Sequence, residues 1–186
     1  MSAPGSMGVF FCFAAMTLLI FVSVSVPTWD SVYFLVVGRG VSQIRYGVFG
    51  FTGSEVAIGY EFTNDSLNST VLHNLTQALI LHPIAAGLAG IAFFFGICGV
   101  AARSRIGTIF MSLVSGLALI ATFVAFVIDM VLFGIARNRY RDDNIYAQYG
   151  NANWLTLGAL VALLMGFCTA VCGIFGRYKS RRDTAY

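Results

Sequence analysis

Four long apolar runs constrain this chain more than any other feature: roughly Met7 to Val26, Ile84 to Ala102, Ile106 to Ala136 and Trp154 to Phe175. About 20 apolar residues, rising about 1.5 Å each in a helix, cross the roughly 30 Å hydrocarbon layer of a bilayer. Only 10% of the 186 residues are charged and 58% are hydrophobic, whereas a soluble domain carries about 25% charged residues. Lipid is the solvent that matches such a surface. The reading is an all-α membrane protein, one four-helix transmembrane bundle. It has an outer loop over 27–82 and a tail over 176–186.

The first run competes with a secretory signal peptide, which wants a basic start and an apolar stretch of about 7–15 residues. The first 29 residues hold no Lys or Arg and the run is longer, so a retained helix is expected. The third run exceeds what the hydrocarbon needs and must tilt or protrude. Trp154 opens the fourth run as an interfacial anchor.

Orientation follows from basic residues near the runs. Arg103 and Arg105 lie between runs two and three, and Arg177, Lys179, Arg181 and Arg182 follow run four. Four spans put these six on one side, which the positive-inside rule makes cytoplasmic together with both termini. Arg137, Arg139 and Arg141 argue the other way, with Arg39 and Arg45 in the long loop. Three N-x-Ser/Thr sequons, at Asn64, Asn68 and Asn74, crowd into that loop. They are glycan acceptors only in the secretory lumen, so they support the same orientation.

The long loop reads as a small antiparallel sheet standing on the membrane. Tyr33 to Val37, Ile44 to Phe51 and Ile58 to Phe62 are short β-type runs separated by glycines. The stretch from Asn64 to Thr76 is polar and runs into a short helix.

The order of a first span, Pro27-Thr28-Trp29-Asp30, a β-rich segment with Gly47-Val48-Phe49-Gly50, then Ile58-Gly59-Tyr60 and three more spans resembles the fungal Sur/PalI family of four-span plasma-membrane proteins, which have a claudin-like layout. The resemblance returns at Asp129 and at Phe133-Gly134-Ile135-Ala136-Arg137, so it covers nearly the whole chain. It implies a plasma-membrane protein acting in membrane-domain organisation, cell-wall integrity or the response to ambient pH. Claudin-like proteins and many of these relatives carry a cysteine pair after the Gly-aromatic motif. Thr52 and Gly53 stand there, and Cys12, Cys98, Cys168 and Cys172 all fall inside the apolar runs. A sheet without that disulfide must draw its stability from aromatic packing, the membrane surface, glycans or a partner.

Few residues could carry chemistry. Asp129 is the one acid inside a run, and a mid-membrane charge costs about 2.5–3.5 kcal/mol on insertion scales. The expectation is a hydrogen-bonded structural carboxylate, with a proton or ion site as the sharper reading and no His, Lys or Arg in another span as relay partner. His73 and His82 flank the entrance to the second run and read as interfacial polar residues; a pH-sensing role is the alternative. Cys168 and Cys172 read as small packing residues. Gly158, Ala162, Gly166 and Ala170 recur at steps of four, a stripe for close approach of another helix. Arg177, Lys179, Arg181 and Arg182 form a juxtamembrane cluster suited to anionic lipid of the inner leaflet. No nucleotide loop, nucleophile elbow, metalloprotease helix or carboxylate pair appears, and no cofactor or nucleic-acid partner is expected. The functional expectation is a non-enzymatic scaffold or signalling-accessory glycoprotein that binds a larger membrane protein or itself. An accessory subunit of a membrane enzyme or transporter, such as a polysaccharide synthase, comes second, and a small channel or transporter third.

Overall fold

The computed structural model describes residues 3–40, 43–63, 67, 69–101 and 105–182, with side chains described, within those ranges, between 6 and 101 and between 106 and 172. In chain order the elements are α1 (Ala3–Ser23), β1 (Leu35–Val37), β2 (Ile44–Tyr46), α2 (Thr70–Ala78), α3 (Leu81–Ala101), α4 (Arg105–Asp142), β3 (Ala147–Tyr149) and α5 (Ala152–Arg182). Among the described residues, α1, α3 with the α2 that leads into it, α4 and α5 are each long and apolar enough to cross a membrane. They close a ring in which α1 packs on α3 and α5, and α4 packs on the same two.

Small side chains set that packing. Ala15, Ala85, Ala89, Ala118 and Ala159 are buried with Leu19 and Leu163 in the middle of the bundle. Without a hydrophobic force between helices in lipid, close backbone approach is what holds them. The stripe on α5 faces α1: a Cβ on Gly158 would touch Leu18, and one on Gly166 would touch Phe11 and Cys12. At the α3–α4 turn a Cβ on Gly99 would meet the backbone of Gly107 at 3.0 Å. Phe95 and Phe110 stack there, with centroids 5.5 Å apart.

α4 has 38 residues, about 57 Å at the helical rise. It resolves its excess length by protruding: its final turns rise out of the bundle and become a wall of the loop head. α5 likewise continues to Arg182, so much of the segment read as a tail is helical.

The head contains an antiparallel sheet of three strands in the order β2-β1-β3. Val36 is opposite Arg45 on one side and Gln148 on the other. β1 and β2 come from the expected runs. The third strand does not: Ile58 to Phe62 forms no strand, and β3 comes from the connection between α4 and α5. Gly59 takes φ +75°, a left-handed conformation that breaks an extended run. Tyr60 and Phe62 then turn into an aromatic core instead of pairing along a ladder. At the core's centre, Tyr46 is fully buried, with ring contacts to Phe51, Tyr60, Phe62 and Tyr140. Burying one such ring stabilises by about 1.5–3 kcal/mol. All four cysteines are free, so aromatic packing serves where a disulfide does not.

Candidate functional site

The two ends of α3 and α4 nearest the head carry the most demanding polar residues in the molecule. His82 lies in the first turn of α3, where Pro83 is accommodated because the early N–H groups of a helix lack partners. Asp129 lies three to four turns before the end of α4. Both are 0% exposed, and His82 Nε2 is 3.0 Å from Asp129 Oδ2. His82 Nδ1 is 3.0 Å from the Leu79 carbonyl. A carbonyl oxygen only accepts, so Nδ1 carries a hydrogen and donates it. Nε2 is then left with two arrangements. Either it donates to an ionised Asp129, making an imidazolium–carboxylate pair, or it accepts from a protonated Asp129 while the imidazole is neutral. Both are neutral overall and differ by one proton moved along one hydrogen bond.

This pair corrects the expectation that Asp129 has no histidine partner, and His82, read as an interfacial polar residue, is wholly buried against it. The residues are 47 positions apart and meet because α3 and α4 pack along their length. An acid alone in an apolar run demands a partner; that demand is the one signal in the sequence that could have prompted a search for the pair. Asp129 Oδ1 is buried and takes no hydrogen bond from the described residues.

The head sits directly on the pair. Phe34, just before β1, stacks on Phe133 of α4 at 4.9 Å and 9° and meets the His82 ring edge-on at 5.4 Å. The Phe34 carbonyl accepts from Asn153 Nδ2 at 3.0 Å and from the Gly150 N–H at 2.8 Å. Asn151 adds two ties to the first loop: its Oδ1 accepts from the Tyr33 N–H at 3.1 Å and its Nδ2 donates to the Ser31 carbonyl at 2.7 Å. Gly150 has to be glycine here, because a Cβ would collide with the Tyr33 carbonyl. These asparagines were not singled out from sequence; their partners lie 118 to 120 positions away.

The residues of the Gly-aromatic motif converge in the head. Gly47 runs so close to Val26 that a Cβ would strike its backbone carbonyl. Tyr60 Oη donates to the Gly47 carbonyl at 3.0 Å, and Thr76 Oγ1 donates to the Tyr60 carbonyl at 3.0 Å. Gly50 is buried and Phe49 packs against the aromatic core. Gly59 lies against Gln77 of α2, while Trp29, 44% exposed, touches Phe21. Burial pushes the Tyr46 and Tyr60 phenols well above their ordinary range. For Tyr46 the hydrogen bond from Thr63 acts the other way, and for Tyr60 the neighbouring Tyr46 adds to the rise.

Other sequence candidates stand apart. Asn74 is exposed on α2, whereas Asn64 and Asn68 lie outside the described residues. Arg177, Lys179, Arg181 and Arg182 lie on α5, but their side chains are outside the described residues. Cys98, Cys168 and Cys172 are exposed on the lipid-facing helices, and only Cys12 is buried. His73 is half-buried, with Nε2 3.2 Å from Gln77 Nε2. Among the described residues no group of three or more His, Cys, Asp or Glu side chains is placed to hold a metal ion.

Four apolar helices and a β-containing head made by both loops at one end define a multi-pass membrane protein with a claudin-like layout. A family model described as the SUR7/PalI family matches residues 5–168, and the chain belongs to that family. No curated protein matches it.

Proposed function

We propose that this protein is a non-enzymatic plasma-membrane scaffold or signalling-accessory protein that works laterally, by holding a partner against its helix faces and head. The supporting observation is the construction of the head. Both loops fold into one body, tied by β1–β3 pairing and by Asn151 and Asn153, and seated on the His82–Asp129 bridge. A body fixed in this way to all four helices presents one rigid profile to a neighbour. The helices below it carry exposed apolar side chains, among them Phe94 on α3 and Ile106, Leu113 and Ile120 on α4. In this reading the termini are cytoplasmic, the head is outside, and the basic end of α5 rests on anionic lipid of the inner leaflet. Membership of the SUR7/PalI family favours roles in membrane-domain organisation, cell-wall integrity or ambient-pH response.

Affinity purification of the full chain in mild detergent, followed by mass spectrometry, tests this. Recovery as a self-associated species in lipid, with patch-like clustering in cells, is the expected result. A stoichiometric large enzyme or transporter would make the chain an accessory subunit instead. Ion conductance by the pure protein in a planar bilayer, abolished in Asp129→Asn, would replace both readings with a channel.

A further inference from the structure

The head leaves one apolar edge uncovered, and the fold fixes its height. Every side chain from Glu55 to Ile58 is exposed, and two of them are large and apolar: Val56 at 64% and Ile58 at 57%. The stretch is held at both ends. Ser54 Oγ accepts from the Phe51 N–H at 2.9 Å, and the Ala57 N–H donates to the Phe49 carbonyl at 2.9 Å. Gly59 then turns against Gln77 of α2. A held loop that keeps two β-branched side chains outside the core presents apolar surface that water disfavours.

Two helices measure how far this edge stands above the hydrocarbon. Asn153, Phe34 and His82 share one level through their contacts, and the exposed Trp154 beside Asn153 marks the interface there. Gln77, on which Gly59 rests, precedes His82 by five residues, about 8 Å by helical rise. A bend between α2 and α3 only lowers that height. α1 gives the same answer. A Cβ on Gly90 of α3 would lie 3.3 Å from Met16, so these two residues are level. Eight residues from each, toward the head, stand His82 and Val24. Pro27 is three residues further, and a Cβ on Gly50 would meet both its ring, at 3.4 Å, and the Glu55 carbonyl, at 3.2 Å. The headgroup layer is about 5–8 Å thick, so the edge lies within it. Trp29, in contact with Phe21 of α1, and Ile84 of α3 are exposed and continue the apolar surface onto the spans.

We propose that this edge of the head is a lipid-binding surface, with Val56 and Ile58 dipping into the boundary between headgroups and acyl chains of the leaflet on the head's side. Amphipathic elements seat their apolar side chains about 5–10 Å into that boundary. Glu55 and Glu61 are exposed on either side of the two residues, which makes neutral phospholipid the partner and gives anionic lipid no advantage.

The test uses the full chain, methyl-labelled at isoleucine and valine, in phosphatidylcholine nanodiscs. Paramagnetic broadening is read twice, with a nitroxide near the glycerol end of the lipid chain and with a water-soluble gadolinium chelate. Ile84 is the reference for lipid. Ile145 is the reference for water, since its N–H bonds the Tyr140 carbonyl, eleven residues past Asp129 on α4. The lipid label is expected to broaden the Val56 and Ile58 methyls to within about twofold of Ile84, and the chelate to broaden them about threefold less than Ile145. Val56→Ser should halve the lipid label's effect on Ile58, and Ile58→Ser its effect on Val56; both sites are exposed, so neither change disturbs the core. Broadening by the chelate as strong as at Ile145 would place the edge in water and overturn the proposal. Protection from both labels would mean that protein, such as a second copy of this chain, covers the edge, and would overturn it too. Unchanged broadening in both serine variants would show that the two side chains do not anchor the edge. Stronger lipid broadening on adding phosphatidylserine would overturn the assignment to neutral phospholipid.

Discussion

At the scale of single residues, the structure turns on the bridge between His82 and Asp129. Both are wholly buried, so removing one leaves the other without its partner in a low-dielectric setting, which costs about 3–5 kcal/mol. His82→Ala and Asp129→Ala are each expected to lower the unfolding midpoint in micelles strongly. The double variant should cost clearly less than the sum, the mark of a direct interaction. Asp129→Asn should be the mildest, because its amide N–H can donate to the neutral imidazole while His82 Nδ1 keeps its bond to Leu79. Additive single effects in the cycle would show that the two residues act separately. The sequence displayed both groups as lone ionisable residues at or within apolar runs. It did not display their pairing, because a helix-to-helix register between α3 and α4 is set by glycine contacts such as Gly99 with Gly107, which no local pattern encodes.

At the scale of elements, the helices were legible and the head was half legible. Apolar length alone defines a span, because a bilayer leaves backbone few other options. β1 and β2 were legible as β-branched and aromatic runs between glycines. β3 was not: Ala147, Gln148 and Tyr149 are three residues without alternation, and they become a strand only because β1 offers an open edge and Asn151 and Gly150 deliver the chain to it. Ile58 to Phe62 misled for the opposite reason. Its aromatic content serves a core, and Gly59 bends the chain. That core makes the head sensitive to alkali. Tyr46 and Tyr60 keep their protons in the folded head beyond the ordinary phenol range, near 10. The unfolded chain therefore releases those protons first as pH rises. The stability these phenols contribute is complete below about pH 10 and is lost progressively above it. The unfolding midpoint should be flat from pH 8 to about 9.5 and then fall, with part of the tyrosinate absorbance appearing only with unfolding. Full tyrosinate absorbance in a still-folded protein would show that these phenols are not held in the core.

At the scale of the whole molecule, the question is which face of the membrane the head occupies. The six basic residues at the other end and the sequons near α2 favour a lumenal or external head, while Arg137, Arg139 and Arg141 oppose it. The fold softens that opposition. Arg137 lies over the Tyr149 ring at 4.9 Å and Arg141 caps the Ala147 carbonyl, so these arginines are parts of a folded head on the protruding end of α4 rather than free flanking charges. Asn74 gives a direct test. It is exposed on α2, but the Thr76 hydroxyl of its sequon is buried and donates to Tyr60 and His73 carbonyls. A glycosylating enzyme needs that hydroxyl, so any glycan at Asn74 is added before α2 packs. With the head outside, Asn74→Gln should remove one glycosidase-sensitive increment of mass and leave the unfolding midpoint unchanged. Thr76→Ala should remove the same increment and also lower the midpoint by the loss of a buried hydrogen bond, about 1 kcal/mol. Thr76→Ser should keep both the glycan and most of the stability. A chain with no glycosidase-sensitive mass, together with a C-terminal tag that resists reaction with impermeant reagents only after the cells are opened inside out, would place the head in the cytoplasm. The loop-charge count would then have to be reversed in favour of the head arginines.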